Sequence, residues 1–133
     1  MPNVLIATDA DWIFDEVDAA LSDEETAVAR VRAGRDVSAA ARELEPELIV
    51  LDMQIGNMGG IATALNLEQD FEAGTVPWAS ILLLLDRPAD VPLARRWGVD
   101  GWLIKPLDAF RLRRAAAALL AGETYEEPSG LAS

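Results

Sequence analysis

Three carboxylates and one ammonium group stand where four predicted strands end. Asp9 follows the first strand, Asp52 ends the third, Asp86 follows the fourth, and Lys105 follows the fifth. The carboxyl ends of parallel strands meet at one edge of a sheet, so we expect these side chains to converge there. Carboxylates held a few Å apart repel each other, which raises a pKa or recruits a cation, and oxygen ligands favour Mg²⁺.

Lys105 is the only lysine in the chain, since the other ten basic residues are arginines. A compact ammonium with three donors suits pairing with a phosphoryl oxygen or with Asp52, although a harmless surface position is the alternative. Pro106 follows it and can take a cis peptide bond, which would aim the lysine into the site. The sequence leaves that bond open.

The elements that must position these groups alternate along the chain. Short apolar runs predict strands buried on both faces, and the clearest are Leu48–Leu51 and Ile81–Leu85. Five strands and five helices in alternation predict an α/β fold, a flavodoxin-like doubly wound parallel sheet in the order 2-1-3-4-5. We expect one domain over residues 1–122, with Asp108 capping the last helix, and a flexible acidic tail over residues 123–133.

Composition excludes several classes of protein. The chain has 133 residues, a formal net charge of −12, and neither cysteine nor histidine. Thiol catalysis, thiolate metal sites, catalytic triads with histidine and phosphohistidine relays are therefore excluded within the chain. The charge argues against binding nucleic acid or anionic membranes. No signal peptide or bilayer-length apolar run is seen, so we expect a cytoplasmic protein.

Three segments carry a family resemblance, namely VLIATD, LIVLDMQIGNMGG and GVDGWLIKP. Together they resemble the receiver domain of bacterial two-component response regulators over about residues 3–121. The family pattern around its phosphorylated aspartate is D-x-x-M-P-x-M-D-G. Asp52, Met58 and Gly60 agree with it, whereas Gly56 replaces the proline and Gly59 replaces the second aspartate.

The resemblance implies a role for each matched residue. Asp52 would accept a phosphoryl group, Lys105 would contact that group, and Trp102 would be the aromatic switch residue. Asp9, Asp52 and the backbone carbonyl of Gln54 would bind Mg²⁺. It implies a signalling domain rather than an enzyme, with a sensor histidine kinase or phosphotransfer protein as its partner. Because few residues follow the last helix, we expect a stand-alone domain, with a homodimer through the fourth and fifth helices as one arrangement.

Two departures from the family pattern affect the metal ligands and the hydroxyl that would contact the phosphoryl group. Thr8 stands where the family has a first acidic residue, although Asp11 could contribute if the loop bends. Leu84 or Leu85 stands where the family has a serine or threonine hydroxyl, and Asp86 adds a negative charge nearby. Two alternatives therefore stay open: a phosphorylation-independent pseudo-receiver that serves as an interaction module, and a small flavodoxin-like enzyme or nucleotide binder, which lacks a phosphate loop here.

Overall fold

Six parallel strands form one sheet in the computed structural model, which describes residues 3–56 and 59–127. The order β2-β1-β3-β4-β5-β6 confirms the predicted doubly wound arrangement and adds a strand beyond β5. Asp52 is the last residue of β3, as predicted. The strands are β1 (Asn3–Ala7), β2 (Ala27–Val31), β3 (Leu48–Asp52), β4 (Ser80–Leu85), β5 (Gly101–Ile104) and β6 (Tyr125–Glu126).

Five α-helices connect the strands within the described part of the chain. Asp108 caps the last of them as predicted, since its carboxylate accepts a hydrogen bond from the backbone N–H of Arg111 at 2.8 Å. No helix there combines the length and apolar character that a membrane crossing needs. The helices are α1 (Asp11–Leu21), α2 (Val37–Leu44), α3 (Gly60–Ala73), α4 (Val91–Arg96) and α5 (Ala109–Leu120).

The apolar core lies on both faces of the sheet. Every residue of β3 and β4 is buried, and alternate side chains point to opposite faces. Ile49 and Leu83 pack on the side of α2, α3 and α4, whereas Val50 and Leu82 pack on the side of α1 and α5. Each such side chain contributes about 2 kcal/mol by burial, so the central strands form a rigid base for the residues at their ends.

The C-terminal segment corrects one expectation. We expected a flexible tail from residue 123, but Tyr125 and Glu126 pair in parallel with Gly101 and Trp102 as β6. A Cβ atom on Gly101 would lie 2.7 Å from the carbonyl oxygen of Tyr125, so this close approach requires glycine. Residues 128–133 lie outside the described residues.

Candidate functional site

Asp52 lies at the carboxyl end of β3 with only 1% of its surface exposed. Its Oδ1 accepts hydrogen bonds from Lys105 Nζ at 2.6 Å and from the backbone N–H of Gln54 at 3.0 Å. Its Oδ2 accepts one from the Thr8 hydroxyl at 2.7 Å. The structure thus brings Asp52 and Lys105 together, and the buried carboxylate is compensated by a cation and two neutral donors.

Lys105 bridges two carboxylates. Besides Asp52, its ammonium donates to Asp86 Oδ1 at 2.7 Å, and the side-chain amide of Gln54 donates to Asp86 Oδ2 at 2.5 Å. Burial opposes the charged form of Lys105, but the hydrogen bonds to both carboxylates outweigh burial and raise its pKa. The Lys105–Pro106 bond is cis. We call Asp52, Lys105, Asp86 and Gln54 the strand-end network.

Thr8 is held in place by an arginine that sequence reasoning missed. Arg30, in β2, donates from Nε to the carbonyl oxygen of Thr8 at 3.0 Å. Its Nη1 pairs with Asp11 at 2.9 Å, and Arg32 pairs with the same carboxylate at 3.2 Å. Hydrogen bonds from both arginines lower the pKa of Asp11. In this structure Asp11 is therefore paired with arginines in and directly after β2, and none of its ion pairs involves Asp52, Asp86 or Lys105.

Asp9 makes its hydrogen bond to the loop that follows β3. Its side chain is exposed, and its Oδ2 accepts a hydrogen bond from the backbone N–H of Gly56 at 3.1 Å. It does not cap α1, whose N-cap is Ala10. Within residues 3–56 and 59–127, no three acidic side chains lie close enough to hold a metal ion. The three carboxylates thus form no single cluster: Asp52 and Asp86 share Lys105, whereas Asp9 binds the loop that follows Asp52.

The oxygen atoms near Asp52 can be compared with the ligands that Mg²⁺ prefers in proteins. Asp9, Asp52 and the Gln54 carbonyl are hard oxygen donors, and Mg²⁺ in proteins is commonly held by one or two carboxylates together with waters and substrate phosphate. Thr8 supplies a neutral hydroxyl, which donates a hydrogen bond to Asp52 Oδ2. The chemistry of the set fits Mg²⁺, with one carboxylate fewer than the family pattern provides.

The turn after Asp52 depends on a glycine. Gly60, in the first turn of α3, packs so closely that an added Cβ would lie 2.8 Å from Met53 Cα and 2.9 Å from the Asp52 carbonyl oxygen. Met53 in turn donates its backbone N–H to the carbonyl of Leu84 at 3.0 Å. Gly60 thus lets α3 approach the strand end that carries Asp52. Met58, which also matches the family pattern, lies outside the described residues.

Trp102 is fixed by the chain's own C-terminal segment. It is 1% exposed, and its indole N–H donates to the carbonyl oxygen of Glu127 at 2.7 Å. The Glu127 carboxylate accepts from the backbone N–H of Ile104 at 2.8 Å and from Arg111 through Nε at 2.7 Å and through Nη2. The hydrogen bond to Glu127 raises the pKa of Arg111. We call these contacts the Glu127 clasp.

The side chains between the two networks carry no hydroxyl. Leu84 pairs in register with Asp52, Leu83 pairs with Trp102, and both leucines are fully buried. Leu85 is fully buried as well, so the candidate positions for the hydroxyl of the family pattern, Leu84 and Leu85, are both packed in the core. Neither aliphatic side chain can donate a hydrogen bond to a group on Asp52.

This fold, with an aspartate and a lysine paired at the strand ends, is that of a receiver domain. The sequence profile of the response regulator receiver domain family matches residues 4–117, and the chain belongs to that family of two-component signalling domains. Among relatives, protein PilH of Pseudomonas aeruginosa is 27% identical over 122 residues, which are 92% of this chain and all of PilH. Response regulator VraR of Staphylococcus epidermidis is 26% identical, and the match covers 96% of this chain and 61% of VraR.

Solved structures share this fold. The chemotaxis response regulator CheY4 of Vibrio cholerae superimposes with a TM-score of 0.76 at 23% identity, over 90% of this chain and 98% of that one. The signal receiver domain of a histidine kinase from Syntrophus aciditrophicus gives a TM-score of 0.74 at 26% identity, over 92% of each chain. The first likeness establishes the fold alone.

Proposed function

We propose that this receiver domain accepts a phosphoryl group on Asp52 from a sensor histidine kinase or a phosphotransfer protein in the cytoplasm. The observation that carries the proposal is the 2.6 Å contact between Lys105 Nζ and Asp52 Oδ1. It joins a candidate nucleophile to a cation at the edge of the sheet where such folds carry their function. The domain would then act as a stand-alone unit through contacts with other proteins.

The proposed chemistry is an in-line displacement at phosphorus. A carboxylate oxygen of Asp52 forms a bond to phosphorus while the bond from phosphorus to the donor's nitrogen or oxygen breaks, and the leaving group keeps that electron pair. Lys105 stabilises the negative charge on the transferring oxygens. The Thr8 hydroxyl and the Gln54 backbone N–H hold the carboxylate in one orientation. Because Asp52 is 1% exposed, Lys105 or the segment after β4 must move to admit a donor.

Asp9, Asp52 and the Gln54 carbonyl are the groups that would hold Mg²⁺ in this proposal. A bound Mg²⁺ would neutralise charge on the phosphoryl oxygens. Thr8 in place of a carboxylate lowers the negative charge of the site by one, so we expect weak binding of the metal.

Incubation with acetyl phosphate and Mg²⁺, followed by intact-mass measurement, tests the proposal. The wild-type protein should gain the mass of one phosphoryl group, and Asp52→Asn should gain none. Asp15→Asn is a matched control, because it removes the same charge from an exposed position in α1. A gain that persists in Asp52→Asn, or no gain in the wild-type protein, contradicts the proposal.

A pseudo-receiver that acts without phosphorylation is the second candidate. It is favoured by two departures from the family pattern: Thr8 at the position of a metal-side carboxylate, and Leu84 or Leu85 at the position of the switch hydroxyl. This candidate predicts no mass gain, no effect of Mg²⁺ on the fluorescence of the four tryptophans, and equal affinity of wild-type protein and Asp52→Asn for a binding partner.

A further inference from the structure

We propose that Asp86 is an internal competitor of the phosphoryl group. Its carboxylate engages Lys105 and Gln54, two donors that an anion attached to Asp52 would use, and so slows phosphoryl acceptance. The proposal rests on the proposed function of Asp52, and it assigns to Asp86 a part in setting the rate at which Asp52 accepts the phosphoryl group.

The geometry places Asp86 on the outer side of the site. Its Oδ1 lies 2.7 Å from Lys105 Nζ and its Oδ2 lies 2.5 Å from Gln54 Nε2. The Asp86 side chain is 23% exposed, against 1% for Asp52. Asp86 is thus the more solvent-facing of the two carboxylates that share the ammonium, and a donor approaching from solvent meets its charge before it reaches Asp52.

The fold itself makes little use of Asp86. The helical turn that follows, Pro88–Asp90, is closed by Arg87 and Asp90, since the Asp90 carboxylate accepts from the Arg87 backbone N–H at 3.2 Å. Within the described part of the chain, both hydrogen bonds of the Asp86 side chain go to the strand-end network. Its position is therefore explained by the site rather than by local capping.

Charge explains why Asp86 competes. A phosphoryl group carries about −1.5 to −2 charge at neutral pH and offers strong acceptor oxygens. Lys105 is the one cation bonded to Asp52 in the described structure, and Asp86 already accepts one of its donors. An incoming phosphoryl group must displace that carboxylate or lie beside a like charge, and either event raises the barrier to transfer.

Initial rates of modification by acetyl phosphate with Mg²⁺ test the proposal. Asp86→Asn keeps the size and an acceptor for Gln54 but removes the charge, so the rate should rise about tenfold or more. Asp86→Ser, which removes the charge with a different shape, should act in the same direction. Asp15→Asn should match the wild-type protein. Equal or slower modification of both Asp86 variants, with the wild-type protein modified on Asp52, overturns the proposal and leaves the proposed function standing.

A binding measurement separates this proposal from the chemistry of transfer. Inorganic phosphate is titrated into ¹⁵N-labelled protein, and the side-chain amide signal of Gln54 is followed by NMR. Asp86→Asn should bind phosphate about tenfold more tightly than the wild-type protein, and adding Lys105→Met should abolish the gain. If no variant is modified on Asp52 but phosphate binding improves as expected, the proposed function fails while Asp86 remains an internal anion on Lys105. Unchanged phosphate binding overturns the competitor role.

Discussion

Two charge networks flank β5, and each sets one cation against two carboxylates. In the strand-end network, the ammonium of Lys105 serves Asp52 and Asp86, whose side chains are 1% and 23% exposed. In the Glu127 clasp, the guanidinium of Arg111 serves Glu127, which is 16% exposed, and also pairs with Asp108, which is 51% exposed. The second carboxylate on Arg111 is therefore largely solvated, whereas both carboxylates on Lys105 are mostly removed from water. A negative charge that is held in excess away from water costs stability and is typical of a functional site.

Removing the ammonium should have the largest effect. Lys105→Met leaves the carboxylate of Asp52 buried without its cation, which should lower the free energy of unfolding by about 3 kcal/mol. Urea unfolding at neutral pH measures this loss. The double variant Lys105→Met with Asp52→Asn should recover most of it. Full stability of Lys105→Met alone would show that the strand-end network does not depend on its cation.

Removing the carboxylate charge of the clasp should cost less. Glu127→Gln weakens charged hydrogen bonds to Arg111 and Ile104, and we expect a loss of about 2 kcal/mol in unfolding free energy. Glu126→Gln is a matched control at the neighbouring position, since Glu126 is exposed and lies 3.8 Å from Arg95. If both variants lose the same stability, the clasp contributes no more than an ordinary surface contact.

A backbone change tests the clasp without altering charge. Gly101→Ala places a methyl group where the carbonyl oxygen of Tyr125 lies 2.7 Å away, so β6 must shift from β5. We expect a loss of about 1–2 kcal/mol and a shift of the Trp102 indole N–H signal in NMR spectra. An unchanged indole signal would mean that β6 pairing and the clasp are independent.

The smallest expected effect on stability concerns Asp108, the exposed N-cap of α5. The backbone N–H of Arg111 donates to Asp108, and this hydrogen bond lowers the pKa of that carboxyl. Folding therefore favours the charged form of Asp108. The resulting stabilisation is present above the ordinary pKa of an aspartate, and it is lost as the pH falls through the lowered pKa of the folded state. Asp108→Asn should melt slightly below the wild-type protein at pH 7, and the difference should vanish in acid. A difference that is constant with pH would exclude this linkage.

The sequence was sufficient for the architecture because buried parallel strands leave long apolar runs. Leu48–Asp52 and the leucines of β4 have that signature, and the topology then placed Asp52, Asp86 and Lys105 at one edge. The hydrogen bond from the backbone N–H of Gly56 to Asp9 is a contact that no periodicity records. Arg30 and Glu127 act through contacts between segments distant in sequence, and a two-residue strand such as β6 has no pattern to detect.

The single lysine of this chain has a practical consequence for following the protein in solution. Amine-directed reagents meet only two kinds of primary amine in the molecule, the N-terminal group and the Lys105 side chain, which is 12% exposed and held by two carboxylates. Acylation of that side chain requires the ammonium to lose its partners and its proton. The labelling rate of the peptide that contains Lys105 would therefore measure how often this side chain separates from Asp52 and Asp86.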